Sequence, residues 1–119
     1  MAAYSQRVLD DAYARLIAVE RDKATAAAKH PERWIAWLDQ FYSRWPATLA
    51  SGVAVGLEGQ LLVNGFADMD AGGVAQRLAA THCQYSRAQL LAAADGDPAG
   101  FAARVAAVTA DWDGRRLVA

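Results

Sequence analysis

The chain has 119 residues, 12 basic against 13 acidic side chains for a formal net charge of −1, and an apolar fraction of 55%, much of it alanine. One domain with a single core fits that length without metal or disulfide staples, and the mixing of acidic with basic residues excludes a broad electrostatic grip on nucleic acid. Cys83 is the lone cysteine, which excludes an internal disulfide and makes a reducing, cytoplasmic setting the expectation.

The opening MAAYSQRVLDDAY places charges where a signal peptide carries its apolar region, so secretion is not expected. Ala3–Lys29 reads as a first helix, with Leu9, Ala12, Tyr13, Leu16 and Val19 on one stripe. Arg7, Asp11 and Arg15 are spaced for i, i+4 pairs on its outer face. Lys29 and His30 stand where cations meet the negative end of the helix dipole. Pro31 disfavours the α conformation at His30 and suits the first turn of a new helix, with Glu32 favoured beside it.

His30–Pro46, HPERWIAWLDQFYSRWP, is the stretch around which the chain is expected to organise. At about 100° per residue, Trp37, Phe41, Trp34, Trp45, Leu38, Tyr42 and Ile35 fall within an arc of roughly 160°. A surface helix needs an apolar stripe only a little over about 100° wide, so this one is expected to touch two neighbours. Pro46 then kinks the chain or restarts it as a third helix over Ala47–Phe66. Gly52, Gly56 and Gly59 weaken that segment, which is read as a helix, either whole or broken near Gly56–Gly59. On a helix Gly52 and Gly56 form a flat strip that another backbone can approach closely. Ala47–Ala67 is long enough to span a bilayer, yet Glu58 sits near its middle, at a cost of about 2.5–3.5 kcal/mol in a membrane. It is therefore read as a buried or interface segment rather than a span.

Asn64–Gly73, NGFADMDAGG, is rich in turn formers. A helix from Ala71 to Ala94 follows, its apolar stripe read as Val74, Leu78, Thr81, Tyr85, Ala88 and Ala92. DGDP at Asp95–Pro98 closes it: Gly96 suits a left-handed end, Asp97 an N-cap and Pro98 the next first turn. The last helix, Pro98–Trp112, has Phe101, Val105, Val108 and Trp112 at matching spacing, and Asp113–Ala119 is expected to be a frayed tail.

Catalytic templates are absent: there is no G-x-x-x-x-G-K-[ST], G-x-G-x-x-G, H-E-x-x-H or C-x-x-C. His82 and Cys83 point about 100° apart on a helix, so they cannot share a metal without distortion. Cys83 reads as a small buried apolar residue and His82 as a packed or partly exposed polar one rather than a ligand. DMDAG opens like a calcium loop, but Val74–Ala80 supplies no closing carboxylate. The aromatic cluster, flanked by Arg33 and Arg44, has the composition of a base-stacking platform; its helical spacing reads as core instead. Glu58 is the carboxylate in the most apolar surroundings, where burial raises a pKa; a structural role is the expectation, and an enzyme pairing it with His82 is the weakest reading.

From Val8 to Leu91 the succession VLDDAYARLIAVERDKATAAAK, HPERWIAWLDQFYSRW and THCQYSRAQLL resembles the helical C-terminal segment of tailed-phage portal proteins. The likeness is carried by R-L-x-x-x-E-R at Arg15–Arg21 and W-x-x-x-F-Y at Trp37–Tyr42. The large α/β body and stem that form the portal's DNA channel have no counterpart here, so the chain would correspond to a detached module or a remnant. The segment is structural in that family, so the resemblance implies assembly and transfers no catalytic residue.

The expectation is an all-α single domain over 1–119, a bundle of four or five helices about a central aromatic-rich helix. Its function is read as non-enzymatic assembly or interaction, associated with phage particles, by helix docking onto a protein partner or a second copy. The alternative is a small ligand-binding or regulatory domain holding an apolar molecule in an aromatic-lined pocket. Trp34, Trp37, Phe41, Trp45, Gly52, Gly56 and Glu58 are the candidate interface or pocket residues; no catalytic, cofactor or metal residue is expected.

Overall fold

The computed structural model describes residues 2–66 and 68–112, with side chains from Gln6 onward. It is all-α: α1 (Ala2–Ala27), α2 (Trp34–Val63), α3 (Ala71–Ala93) and α4 (Phe101–Ala110), with short 3-10 turns at Pro31–Arg33 and Pro98–Gly100. The tail expected at Asp113–Ala119 lies outside the described residues.

Chain punctuation acts where the residue chemistry places it. Pro31 opens a 3-10 turn and holds His30 out of the α region, at φ −127° and ψ 72°. Gly96 takes a positive φ of 120°, and the Asp97 carboxylate accepts from the Ala99 N–H at 3.1 Å, capping the turn that leads into α4. Arg104 fastens this turn: its Nε donates to the Ala93 carbonyl and its Nη1 to the Asp97 carbonyl, both at 2.8 Å. Ala93 is the last residue of α3, so the guanidinium satisfies a carbonyl that the helix itself cannot.

Pro46 does not restart the chain as a third helix. The second and third helices of the sequence reading are one continuous 30-residue helix through Pro46, and neither Gly56 nor Gly59 interrupts it. An internal proline costs about 3 kcal/mol through its missing N–H and its ring. Here Trp45, Leu49, Ala50 and Val53 on both sides of it are buried, and their packing offsets that cost. Gly56 continues the helix for a related reason. A Cβ at that position would lie 2.7 Å from the backbone N and Cα of Leu9, so the bare backbone is what lets α1 approach. The Gly52–Gly56 strip is thus occupied within the chain, by Leu16 and Leu9 of α1.

α2 packs along α1 on one side and α3 on the other, and α4 lies against both α1 and α3. The molecule measures 51 × 23 × 18 Å, its long dimension close to the ~45 Å that a 30-residue helix spans. The inward line of α1 is Leu9, Ala12, Tyr13, Ile17, Glu20 and Ala24, continued by Ala28 just past its end, while Val19 is exposed. On α3 the expected stripe is displaced by about one residue, or 100°. Ala75, Ala79, Cys83, Ser86, Leu90 and Ala93 face inward, whereas Leu78 and Tyr85 are 53% and 62% exposed. Small side chains win the interior position because they let α3 lie close to α2. Pro31–Val63 is long and apolar enough to cross a membrane by length and composition; α1 and α3 pack along it, and 28% of its apolar window is buried.

Candidate functional site

The most concentrated chemistry lies where α1, α2 and α3 meet. Glu20 sits on the inward line of α1 with none of its surface exposed. From α2, the Tyr42 hydroxyl donates to its Oε2 at 2.6 Å and the Trp45 indole N–H to its Oε1 at 3.1 Å. From α3, His82 Nε2 lies 2.8 Å from the same Oε1, and the Ser86 hydroxyl stands 3.3 Å from that nitrogen. The other imidazole nitrogen, Nδ1, is 2.9 Å from the Tyr13 hydroxyl of α1. A proton on Nε2 satisfies Glu20, and Nδ1 exchanges a hydrogen bond with the Tyr13 hydroxyl, which can either donate or accept.

Three donors on one carboxylate are what a buried charge requires. Burial pushes the Glu20 carboxyl upward, but the bond and charge of His82, with the Tyr42 and Ser86 hydroxyls, outweigh it and hold it below its ordinary value. Tyr42 moves the opposite way. Burial, then the adjacent Glu20 charge and the bond to it, raise its hydroxyl far above the usual phenol range, so it remains a donor at any ordinary pH.

The cluster contains a serine, a histidine and a carboxylate without the geometry of a nucleophilic set. Such a set needs the serine on one imidazole nitrogen and the carboxylate on the other. Here Ser86 and Glu20 share Nε2, and both are fully buried. What the arrangement does is join three helices. Among the described residues no group of three or more His, Cys, Asp or Glu is placed to hold a metal ion.

The aromatic residues of α2 form a ladder along one side of the helix. Trp34, Trp37, Phe41 and Trp45 stack in succession with ring centroids 5.2, 4.9 and 5.0 Å apart, and Phe101 of α4 meets Trp34 edge-on at 4.9 Å. Trp34 and Trp45 are buried; Trp37 and Phe41 are half-buried. Trp34 also donates to the Leu90 carbonyl at 3.2 Å, tying the ladder to the end of α3. The arc anticipated from the wheel is thus largely interior, with Ile35 at its edge exposed.

Glu58 lies elsewhere. It is exposed and lines an open cleft of about 320 Å³ at the α2–α3 turn, together with Leu61, Leu62, Phe66, Met69 and Asp70. His82 is not among the residues of that cleft; the carboxylate it meets is Glu20. Glu20 enters the sequence reading only as the glutamate of the R-L-x-x-x-E-R run, with no face of the helix given to it. Its signal was positional, since Leu9, Tyr13, Ile17 and Glu20 continue one three-to-four-residue spacing. Comparison with protein-family models, with curated proteins and with solved structures gives no match to this chain.

Proposed function

We propose that the chain is a non-enzymatic assembly module, a helical bundle organised around the aromatic α2 that docks through apolar surface at the α2–α3 turn onto a second copy of itself. The observation that carries this reading is the exposure of three large apolar side chains on one cleft. Leu62, Phe66 and Met69 stand open there, Leu62 at 64% and Phe66 at 53%, rimmed by the carboxylates of Glu58 and Asp70. Apolar surface gathered within a polar rim is the usual composition of a docking site. The resemblance of Val8–Leu91 to a portal segment points the assembly towards phage particles.

The test is the absolute mass in solution, by size-exclusion chromatography with light scattering across a wide concentration range. A discrete oligomer that dissociates on Leu62→Ser plus Phe66→Ser is the expected outcome. A monomer at every concentration overturns self-assembly.

A further inference from the structure

We propose that the Glu20 cluster is an acid-sensitive latch that holds the His82–Cys83 stretch of α3 against α1 and α2, and that its release uncovers Cys83 while the helices remain formed.

The geometry supplies the latch. α1 and α3 pack chiefly against α2, and His82 of α3 reaches α1 through both nitrogens, to Glu20 and to Tyr13. α4 reinforces one end of α3, where Trp112 Nε1 meets Gln89 Oε1 at 2.9 Å and Arg104 holds the Ala93 carbonyl. His82 and Cys83 lie amino-terminal to both of those ties. The groups facing Glu20 are Tyr42 and Trp45 from α2, His82 and Ser86 from α3, and through His82 the Tyr13 hydroxyl of α1; Cys83 lies close to Tyr42. The charged residue of α4, Arg104, is held on the Ala93 and Asp97 carbonyls, and Asp111 just beyond the helix is exposed.

Protonation of Glu20 removes the charge on which these bonds converge. Trp45 and His82 both meet Oε1, and the Trp45 indole has no capacity to accept, so the carboxyl proton must sit where a Tyr42 or Ser86 hydroxyl turns to accept it, and the bonds across the three helices are no longer charge-assisted. Water then competes with the weakened bonds, and its entry requires α3 to lift from α1 and α2. The Glu20 carboxyl titrates below its ordinary 4.5 when folded. The stability it contributes is therefore complete above that value and is lost as pH falls through the lower, folded value. The α1–α2 contacts at Leu9 with Gly56 and Leu16 with Gly52 involve no titrating group and outlast the latch.

Cys83, buried beside His82, is a built-in reporter. The whole chain is labelled with dithiodipyridine, an aromatic disulfide that reacts with thiols in acid, in steps from neutral pH to about pH 3. Each rate is divided by that of the urea-unfolded chain at the same pH, and far-UV circular dichroism is recorded alongside. The normalised rate should rise about tenfold or more, the effect of an opening equilibrium shifted by one pH unit, with helical ellipticity retained. Glu20→Gln should abolish the step. If that variant does not fold, Tyr42→Phe, which removes a donor that keeps Glu20 ionised, should move the step to higher pH. A normalised rate that stays flat, labelling that only accompanies loss of ellipticity, or a step unmoved in the variant that folds overturns the latch.

Discussion

The two ends of α2 draw on similar apolar residues and finish in opposite states. At its beginning Trp34 is 2% exposed, stacked on Trp37, met by Phe101 and bonded to the Leu90 carbonyl. At its far end Leu62 and Val63 point largely into solvent, and Phe66 and Met69 beyond them do the same. Composition does not explain the contrast, but cover does. α4 is ten residues long, about 15 Å, and seats at the Trp34 end of a helix three times its length. Phe101 of this short helix, with Leu90 of α3, thus closes one end of α2, and the other end is left exposed.

Trp34→Ala should show the largest effect. It removes a buried indole, leaves a cavity against Phe101 and Trp37, and strips the Leu90 carbonyl of its donor. A loss of about 3–5 kcal/mol is expected, read from the urea midpoint at constant slope. Should it cost no more than truncating Leu62 at the open end, the division of α2 into a stabilising and an exposed half fails.

Gly56 and Gly52 sharpen the comparison midway along the helix. At Gly56 an added methyl meets the Leu9 backbone, which cannot yield without moving α1, so Gly56→Ala should destabilise by about 1–3 kcal/mol. At Gly52 the obstacle is the tip of the Leu16 side chain, which can rotate. There the gain in helix propensity, up to about 1 kcal/mol, should offset the crowding, and Gly52→Ala should unfold within about 1 kcal/mol of the parent. Equal losses at the two positions would mean that α1 is not seated on Gly56 as described.

What the sequence made legible follows from how local each signal is. Pro31, Gly96, Asp97 and Pro98 act through their own backbone geometry, and each does what its chemistry implies. Pro46 is the instructive exception, because buried neighbours on both sides override a local preference that has no access to them. The inward face of α3 was misread for a similar reason. Leu78 and Tyr85 are the larger apolar residues, but the close approach to α2 selects Ala75, Ala79 and Ser86, and size at a contact is a property of two helices rather than one. Among the candidate residues Trp34 and Trp45 proved interior, Gly52 and Gly56 proved to be the seat of α1, and Glu58 lines the open cleft. The cluster at Glu20 was the least legible. Its partners stand 22, 25 and 62 positions away, so no window along the chain contains it.

The smallest expected effect on stability falls at the open end and carries the most about function. Leu62→Ser and Phe66→Ser each replace a side chain that is more than half exposed, so each should shift unfolding by no more than about 0.5 kcal/mol. Their consequence should appear in solution mass instead, since both side chains stand on the cleft proposed to dock. Tyr85→Ser is the matched control: equally exposed, on α3, and not among the residues of that cleft. A fall in oligomer mass with the first two and not the third assigns association to the end that α4 leaves uncovered. An equal fall with all three would mean that any exposed apolar side chain suffices, and the contrast between the two ends of α2 would then carry no specificity.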